Sequence, residues 1–247
     1  MPSRRHRYLT PFIDYLALIY AYIRTLLSIP LRTQQRIAFG KTTTTSTPKA
    51  QSSPNSTKRT ALQYYKGKTV VLDLDETLVH SVQLSGGKLQ TVHAAIQRKQ
   101  IEVQSNKQSI LYLVYKRPHA DFFLKTISQW YKVVIFTASM AEYADPVIDW
   151  LDQDDSMVSQ RYFRQSCVPK GGNYLKDISL AEPDLSKVCL VDNSPVAYEL
   201  YQENGIPIPT WLNAPNDESL LDLLPLLDAL RFTSDVRSIL KLRKLTS

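Results

Sequence analysis

The stretch TVVLDLDETLVHS, residues 69–81, sets two aspartates into a run of β-branched and leucine residues that otherwise reads as a strand buried on both faces. Side chains alternate across a strand, so Asp73 and Asp75 leave on one side while Leu72 and Leu74 leave on the other. Two like charges at roughly 4 Å repel by about 4 kcal/mol at an effective dielectric near 20. A shared proton or a divalent cation would offset that repulsion, and hard cations such as Mg²⁺ prefer carboxylate and carbonyl oxygens. The residue types therefore point to a metal or phosphate site.

Two further apolar runs end in polar side chains. YKVVIFTAS, residues 131–139, ends at Thr137 and Ser139, and VCLVDNSP, residues 188–195, ends at Asp192 and Asn193. In open parallel sheets ligands bind outside the carboxyl ends of the strands, so the three polar ends are expected to meet at one crevice. There a carboxylate can act as a nucleophile and carry an acyl phosphate, the role expected of Asp73. Asp75 could protonate the leaving oxygen and then deprotonate water. Mg²⁺ held by Asp73, Asp192 and Asn193, with Asp75 beside them, would offset the negative charge of an incoming phosphate. Thr137 and Ser139 would hydrogen-bond phosphoryl oxygens, although a helix N-cap suits both as well. A lysine from another loop should complete the site, and Lys176 in GGNYLKDIS is the candidate.

Other chemistries lack their residues. No G-x-G-x-x-G follows a strand and no Walker loop is present. Neither Cys167 nor Cys189 has an arginine six positions on, which argues against a thiolate phosphatase, and both read as buried thiols of a reduced compartment. His6, His80, His93 and His119 sit at no metal-ligand spacing.

The elements that must position the acids follow from the alternation of pattern after residue 61. Strands at 69–74, 131–139 and 188–195 alternate with helices at 121–130 and 141–151, which predicts an α/β domain over 61–247: a Rossmann-like parallel sheet flanked by helices. Residues 82–116 interrupt the alternation with a β-hairpin approached through Gly86 and Gly87. The leucine-rich run DESLLDLLPLLDALRF reads as a core helix.

The chain has 247 residues, 43% hydrophobic, and a formal charge of +7, enough for one core with appendages. The charge is not spread evenly. Residues 1–60 hold ten Lys or Arg against the single acid Asp14, whereas the remainder holds twenty against twenty-two, so the folded part carries no basic face for nucleic acid. Residues 10–32 are apolar over most of a helical wheel, with Thr10, Asp14, Ala17, Ala21, Thr25, Ser28 and Arg32 in one narrow stripe. Residues 1–40 thus read as a basic N-terminus carrying a membrane-associated helix, which either lies in one leaflet or crosses. A cleaved signal peptide fits less well, because no small-x-small site follows. Residues 41–60, rich in Ser, Thr and Pro, read as a disordered tether of about 25 Å root-mean-square reach.

Taken in order, DLDETLVHS, KRPHADFFL, FTASMAEYADPV, RYFRQSC, GGNYLKDIS and LVDNSP resemble successive blocks of the FCP/SCP branch of the haloacid-dehalogenase-like superfamily, from about residue 64 to 240. SQWYKVVIFTASM and LLPLLDALRFTSDVRSIL are most similar to its Dullard-type, membrane-tethered nuclear-envelope members. The resemblance implies a Mg²⁺-dependent protein serine/threonine phosphatase with Asp73 as nucleophile and Asp75 as general acid/base. It places Thr77, Thr137, Ser139, Arg164 and Lys176 around the phosphate, and Asp73, Asp75, Asp192 and Asn193 at the metal. It also implies the endoplasmic reticulum or nuclear envelope as location, with the catalytic domain facing cytosol or nucleoplasm, a lipin-type phosphatidate phosphatase as substrate, and a small membrane-bound regulatory subunit as partner. Lys170 and an extra glycine in CVPKGGNY depart from the pattern, so substrate preference is expected to differ there.

Three rival readings remain at this point. A soluble nuclear phosphatase of the RNA polymerase II C-terminal domain shares the motifs. A receiver-like signalling module also accepts phosphate on an Asp, but lacks a second carboxylate at the spacing of Asp75. A membrane-bound scaffold with a dead site is weakened by the complete set of expected catalytic residues.

Overall fold

Thr69–Leu72 forms β1, whose four residues are all buried because both faces of the strand are covered. The computed structural model describes residues 67–84, 96–105 and 108–243, all within the compact unit Ser52–Ser247. The expected N-terminal helix, the tether and the Gly86–Gly87 pair lie outside the described residues. No helix among the described residues is long and apolar enough to cross a membrane.

In chain order β1 is followed by β2 (Val79–Gln83), β3 (Arg98–Ser105), β4 (Gln108–Lys116), helix α1 (Ala120–Ser128), β5 (Lys132–Phe136) and helix α2 (Ala141–Leu151). Then come β6 (Val158–Tyr162), β7 (Val168–Lys170), β8 (Asn173–Leu175), β9 (Val188–Asp192), β10 (Gly205–Pro207), α3 (Ser219–Leu230) and α4 (Val236–Arg243). The central sheet is parallel with order β10-β9-β1-β5-β6, as the alternation of strands and helices predicts.

Alternation within β1 divides the core. Val70 and Leu72 join a large cluster on one face with Phe123, Leu124 and Ile127 of α1 and Tyr143, Val147 and Ile148 of α2, whereas Val71 joins Phe136, Ile178 and Leu190 on the other. The helices dock through apolar residues three and four apart, so their stability comes from this burial more than from propensity.

The register places the chemistry. Leu72 lies opposite both Val191 and Ile135, and the ladder runs one step further, with the Asp73 amide donating to Val191 (3.0 Å) and the Thr137 amide to Tyr162 (2.9 Å). Asp73, Thr137 and Asp192 are thereby fixed at the same end of three adjacent strands.

The expected hairpin is present as β3 and β4, and β2 extends it. The result is a three-stranded antiparallel sheet, β2-β4-β3, because the chain leaves the loop after β1 already extended and β2 pairs with β4 from Val79–Lys116 to Gln83–Tyr112. Ile101, Val103 and Val114 then pack on the same core face as α2.

A buried ion pair ties the loop after β1 to the rest. Arg117, 1% exposed, donates from Nε and Nη2 to Asp217 (2.7 and 2.9 Å) and from Nη1 to the Thr77 carbonyl (3.0 Å). Burial pushes the Asp217 carboxyl up, but Arg117 and Ser219 together hold it below the usual range. Asp217→Ala, which leaves a buried guanidinium without its counter-ion, is expected to cost about 3–5 kcal/mol in chemical denaturation of the full chain. Because the folded carboxyl titrates low, the benefit is present above about pH 4 and is lost as the pH falls through the folded value. The stability gap between wild type and Asp217→Asn should therefore close in acid.

Candidate active site

An open cleft of about 850 Å³ lies at the carboxyl ends of β1, β5 and β9, and the inserted sheet forms its far wall. Asp73, Asp75, Thr137, Ser139, Arg164, Lys176, Asp192 and Asn193 all line it. The crevice expected from three polar strand ends is therefore present. Thr77, fully buried, sits just behind it.

The expected alternation holds past the end of β1: Asp73 and Asp75 line the cleft, while Leu72 and Leu74 are buried together in the core. β1 ends at Leu72, the Asp73 amide extends its ladder by one bond, and the chain turns only after Asp75, where Glu76 adopts a left-handed φ of 57°. They face one cleft but two different surroundings. Lys176, 2% exposed, donates from Nζ to Asp73 Oδ1 (2.5 Å) and to Asp192 Oδ2 (2.7 Å). Burial alone would favour the neutral amine, but these two carboxylates hold Lys176 above the usual lysine range, so it stays an ammonium. Thr77 Oγ1 donates to the other Asp73 oxygen, Oδ2 (2.8 Å), and lies 3.4 Å from Asn193 Oδ1. Thr77 thus orients the nucleophile candidate, and its hydroxyl is not turned to the phosphate space.

Asp75 is held by hydroxyls. Ser139 Oγ donates to Oδ2 (2.7 Å), Thr137 Oγ1 lies 3.4 Å from the same oxygen, and the Tyr143 hydroxyl donates to Oδ1 (2.8 Å). Burial, with the charges of Asp73 and Glu76 adding to it, pushes Asp75 up to about 6 against the downward pull of Ser139 and Tyr143. A carboxyl in that range can both give and take a proton near neutrality.

The N-cap alternative for Thr137 and Ser139 does not describe their places. The cap of α2 is Met140, whose side chain makes no capping bond, and Thr137 Oγ1 instead accepts the Ser139 amide (2.9 Å). Arg164 stands at the rim, donating from Nε to the Ala138 carbonyl (2.6 Å) with its guanidinium over the Tyr174 ring at 5.1 Å. Lys170 is turned to Glu199 (2.5 Å). The two glycines after it, with φ of 57° and 81°, make the two-residue turn of the β7–β8 hairpin, a conformation that favours glycine at both places.

Tyr143 is the functional candidate that the sequence reading passed over. It sits on the buried face of α2 at the spacing of core residues, and nothing local in FTASMAEYADPV separates it from Ala144 or Val147.

For a cation, the donors near Asp73 are Asp73 Oδ2, Asn193 Oδ1 and the Asp192 carboxylate, whose Oδ1 also accepts the Ser194 amide (2.8 Å). Among the described residues no group of three or more His, Cys, Asp or Glu is arranged to hold a metal. That set still fits Mg²⁺, which takes one or two carboxylates and leaves its other positions to water and phosphate. The Asp75 carboxylate, expected among the ligands, is committed to Ser139 and Tyr143.

The sequence profile of the NLI interacting factor-like phosphatases matches residues 68–237. The Caenorhabditis elegans CTD nuclear envelope phosphatase 1 homolog is 50% identical over 189 residues, 76% of either chain. Xenopus laevis CTD nuclear envelope phosphatase 1 is 48% identical over 183 residues, 74% of this chain and 75% of that one. Nuclear envelope morphology protein 1 of Saccharomyces cerevisiae is 42% identical over 200 residues, 75% of this chain but 44% of the yeast protein. The solved structure of the fission yeast RNA polymerase II CTD phosphatase Fcp1 bound to beryllium fluoride shares the fold, with a TM-score of 0.51 at 16% identity over 77% of this chain and 57% of that one. The acids at three adjacent strand ends thus belong to a known kind of enzyme: the chain is a member of the NLI interacting factor-like phosphatase family, a protein phosphatase of the Dullard type.

Proposed function

We propose that the chain dephosphorylates phosphoserine and phosphothreonine in proteins through a phospho-Asp73 intermediate. The observation that carries this reading is the division of the two acids: Asp73 lies beside the buried Lys176 ammonium, while Asp75 sits among hydroxyls with its carboxyl pushed up to about 6.

The steps follow from those positions. A phosphate entering past Arg164 meets Asp73, whose carboxylate oxygen attacks phosphorus as the bond to the serine or threonine oxygen breaks. Asp75 gives its proton to that leaving oxygen, then takes one from a water that attacks the acyl phosphate, releasing phosphate and restoring Asp73. Lys176 holds Asp73 in place and offsets negative charge throughout. Asp73, Asp192 and Asn193 would hold Mg²⁺, which when bound would neutralise phosphate charge and help orient it. A receiver-like module is disfavoured by Asp75, which supplies the acid–base help for hydrolysis.

The finer assignment is a phosphatase tethered to the endoplasmic reticulum or nuclear envelope by residues 1–40, with the catalytic domain on the cytosolic or nucleoplasmic side. It would act on a lipin-type phosphatidate phosphatase with a small membrane-bound regulatory subunit. The names of the relatives and the apolar, basic N-terminal sequence support this reading. It is tested with the full chain in anionic liposomes, given a phosphorylated lipin-type enzyme or a phosphoserine peptide of the RNA polymerase II C-terminal domain. Mg²⁺-dependent release of phosphate from the lipin-type enzyme, weakened by deletion of residues 1–40, is expected. Activity confined to the polymerase peptide and unchanged by the deletion would favour the soluble nuclear alternative. Turnover untouched by chelation would remove the metal.

A further inference from the structure

Beside the backbone bridge between Asp75 and Val79 at the start of β2, one side chain links the inserted sheet to the acid–base carboxyl. Tyr143, on α2, donates its hydroxyl to Asp75 Oδ1 (2.8 Å), and from the insert Ser81 of β2 is hydrogen-bonded to Tyr143. Tyr112 of β4 lays its ring against that of Tyr143, with centroids 5.1 Å apart and planes tilted by 57°. Offset or tilted aromatic pairs of this kind fix one ring against another. The insert therefore touches Tyr143 twice, once at the hydroxyl and once at the ring, and Tyr143 touches the carboxyl.

We propose that Tyr143 is a positioning residue for the general acid, and that Ser81 and Tyr112 make its placement a function of the inserted sheet. This rests on the catalytic reading above and adds to it a route from the cleft wall to the proton donor. Without the Tyr143 bond the Asp75 carboxyl keeps Ser139 on one oxygen but is free to turn about its χ2, a torsion with broad minima. Proton transfer to a leaving oxygen depends on that orientation, because the donor must lie within hydrogen-bond reach of the atom it protonates. The same cleft wall carries Val103 and Ile110, so a polypeptide lying in the cleft would press on the strands that carry Ser81 and Tyr112.

The test uses leaving groups of different need. Tyr143→Phe keeps the ring on Tyr112 and removes only the hydroxyl. Phosphorylation of Asp73 is followed in single turnovers of the full chain with a phosphoserine peptide, whose alkoxide must be protonated, and with 4-nitrophenyl phosphate, whose phenolate leaves unaided. The peptide reaction is expected to slow roughly ten- to a hundredfold with KM unchanged, while the aryl reaction stays within about threefold. Tyr112→Ala and Ser81→Ala, which leave the Tyr143 hydroxyl in place, should shift the same ratio in the same direction by less. Should Tyr143→Phe fail to fold, as thermal unfolding would show, Ser81→Ala carries the comparison. Equal losses for both substrates, or a raised KM with an unchanged rate, would overturn the inference. A wild-type chain that never forms phosphoaspartate would overturn the catalytic reading and this inference together, whereas normal wild-type phosphorylation with equal variant losses overturns this inference alone.

Discussion

Asp73→Asn is expected to lower turnover of phosphoserine peptides by about 10⁴-fold or more while leaving the fold in place, because the nucleophile acts as a unit with its acid–base partner and no neighbour can replace it. The amide is nearly the same shape: its one oxygen can accept from Lys176 at the place of Oδ1 (2.5 Å), while its NH₂ falls at the place of Oδ2, where the Thr77 hydroxyl (2.8 Å) turns to accept from it. Lys176 also keeps its bond to Asp192, so the buried ammonium retains a counter-ion. Loss of rate therefore reports chemistry and not collapse, provided circular dichroism and the unfolding midpoint stay near wild type. Near-normal turnover would mean that water attacks phosphorus directly, with Asp73 serving only to place it.

Asp75→Asn separates the two halves of the reaction. With a phosphoserine peptide the leaving oxygen loses its proton donor, and phosphorylation is expected to slow by roughly 10²–10⁴-fold. With an aryl phosphate the first half needs no proton, while hydrolysis still lacks its base, so phosphoenzyme should build up and persist. Tyr143 can still donate to the amide oxygen at the place of Oδ1, and the Ser139 hydroxyl can turn to accept from the NH₂ at the place of Oδ2, which keeps the loop in place. A variant that neither slows on the peptide nor accumulates phosphoenzyme on the aryl substrate would remove Asp75 from the proton path.

Much of this site was legible before any coordinates, for a reason rooted in strand physics. Runs such as VVL, VVIF and VCLV, short and rich in β-branched residues, read as buried strands, and a polar residue directly after each then falls at a sheet end. Register was not legible, yet it decides everything. That Leu72 faces Val191 and Ile135 depends on packing across the whole sheet, which no local pattern encodes.

The details that escaped are those set by tertiary contact. β2 reads as the tail of a motif, VHSVQ, with little apolar alternation, and becomes a strand only because β4 lies beside it. Thr77 reads as one more hydroxyl for phosphate, but its chain turns inward and the hydroxyl lands on Asp73. Tyr143 carries the spacing of a core residue and is one, with a single polar atom that finds the Asp75 carboxyl. Arg117 gives no sign in KRPHADFFL that its partner, Asp217, lies a hundred residues on. Lys176 could be singled out as one loop lysine among several, and its resemblance to the motif block gave it weight; the fold then buries it between Asp73 and Asp192.

Phosphoryl transfer to one named carboxylate is the claim on which the rest depends. Borohydride trapping during steady-state turnover tests it most directly, since the reagent reduces an acyl phosphate at aspartate to the homoserine side chain and leaves free carboxylates alone. Mass spectrometry of the digested full chain should find that change at position 73, only when substrate is present, and more of it in Asp75→Asn. Turnover continuing at its normal rate with position 73 unmodified, or with the label on Asp75 or Asp192, would contradict the account.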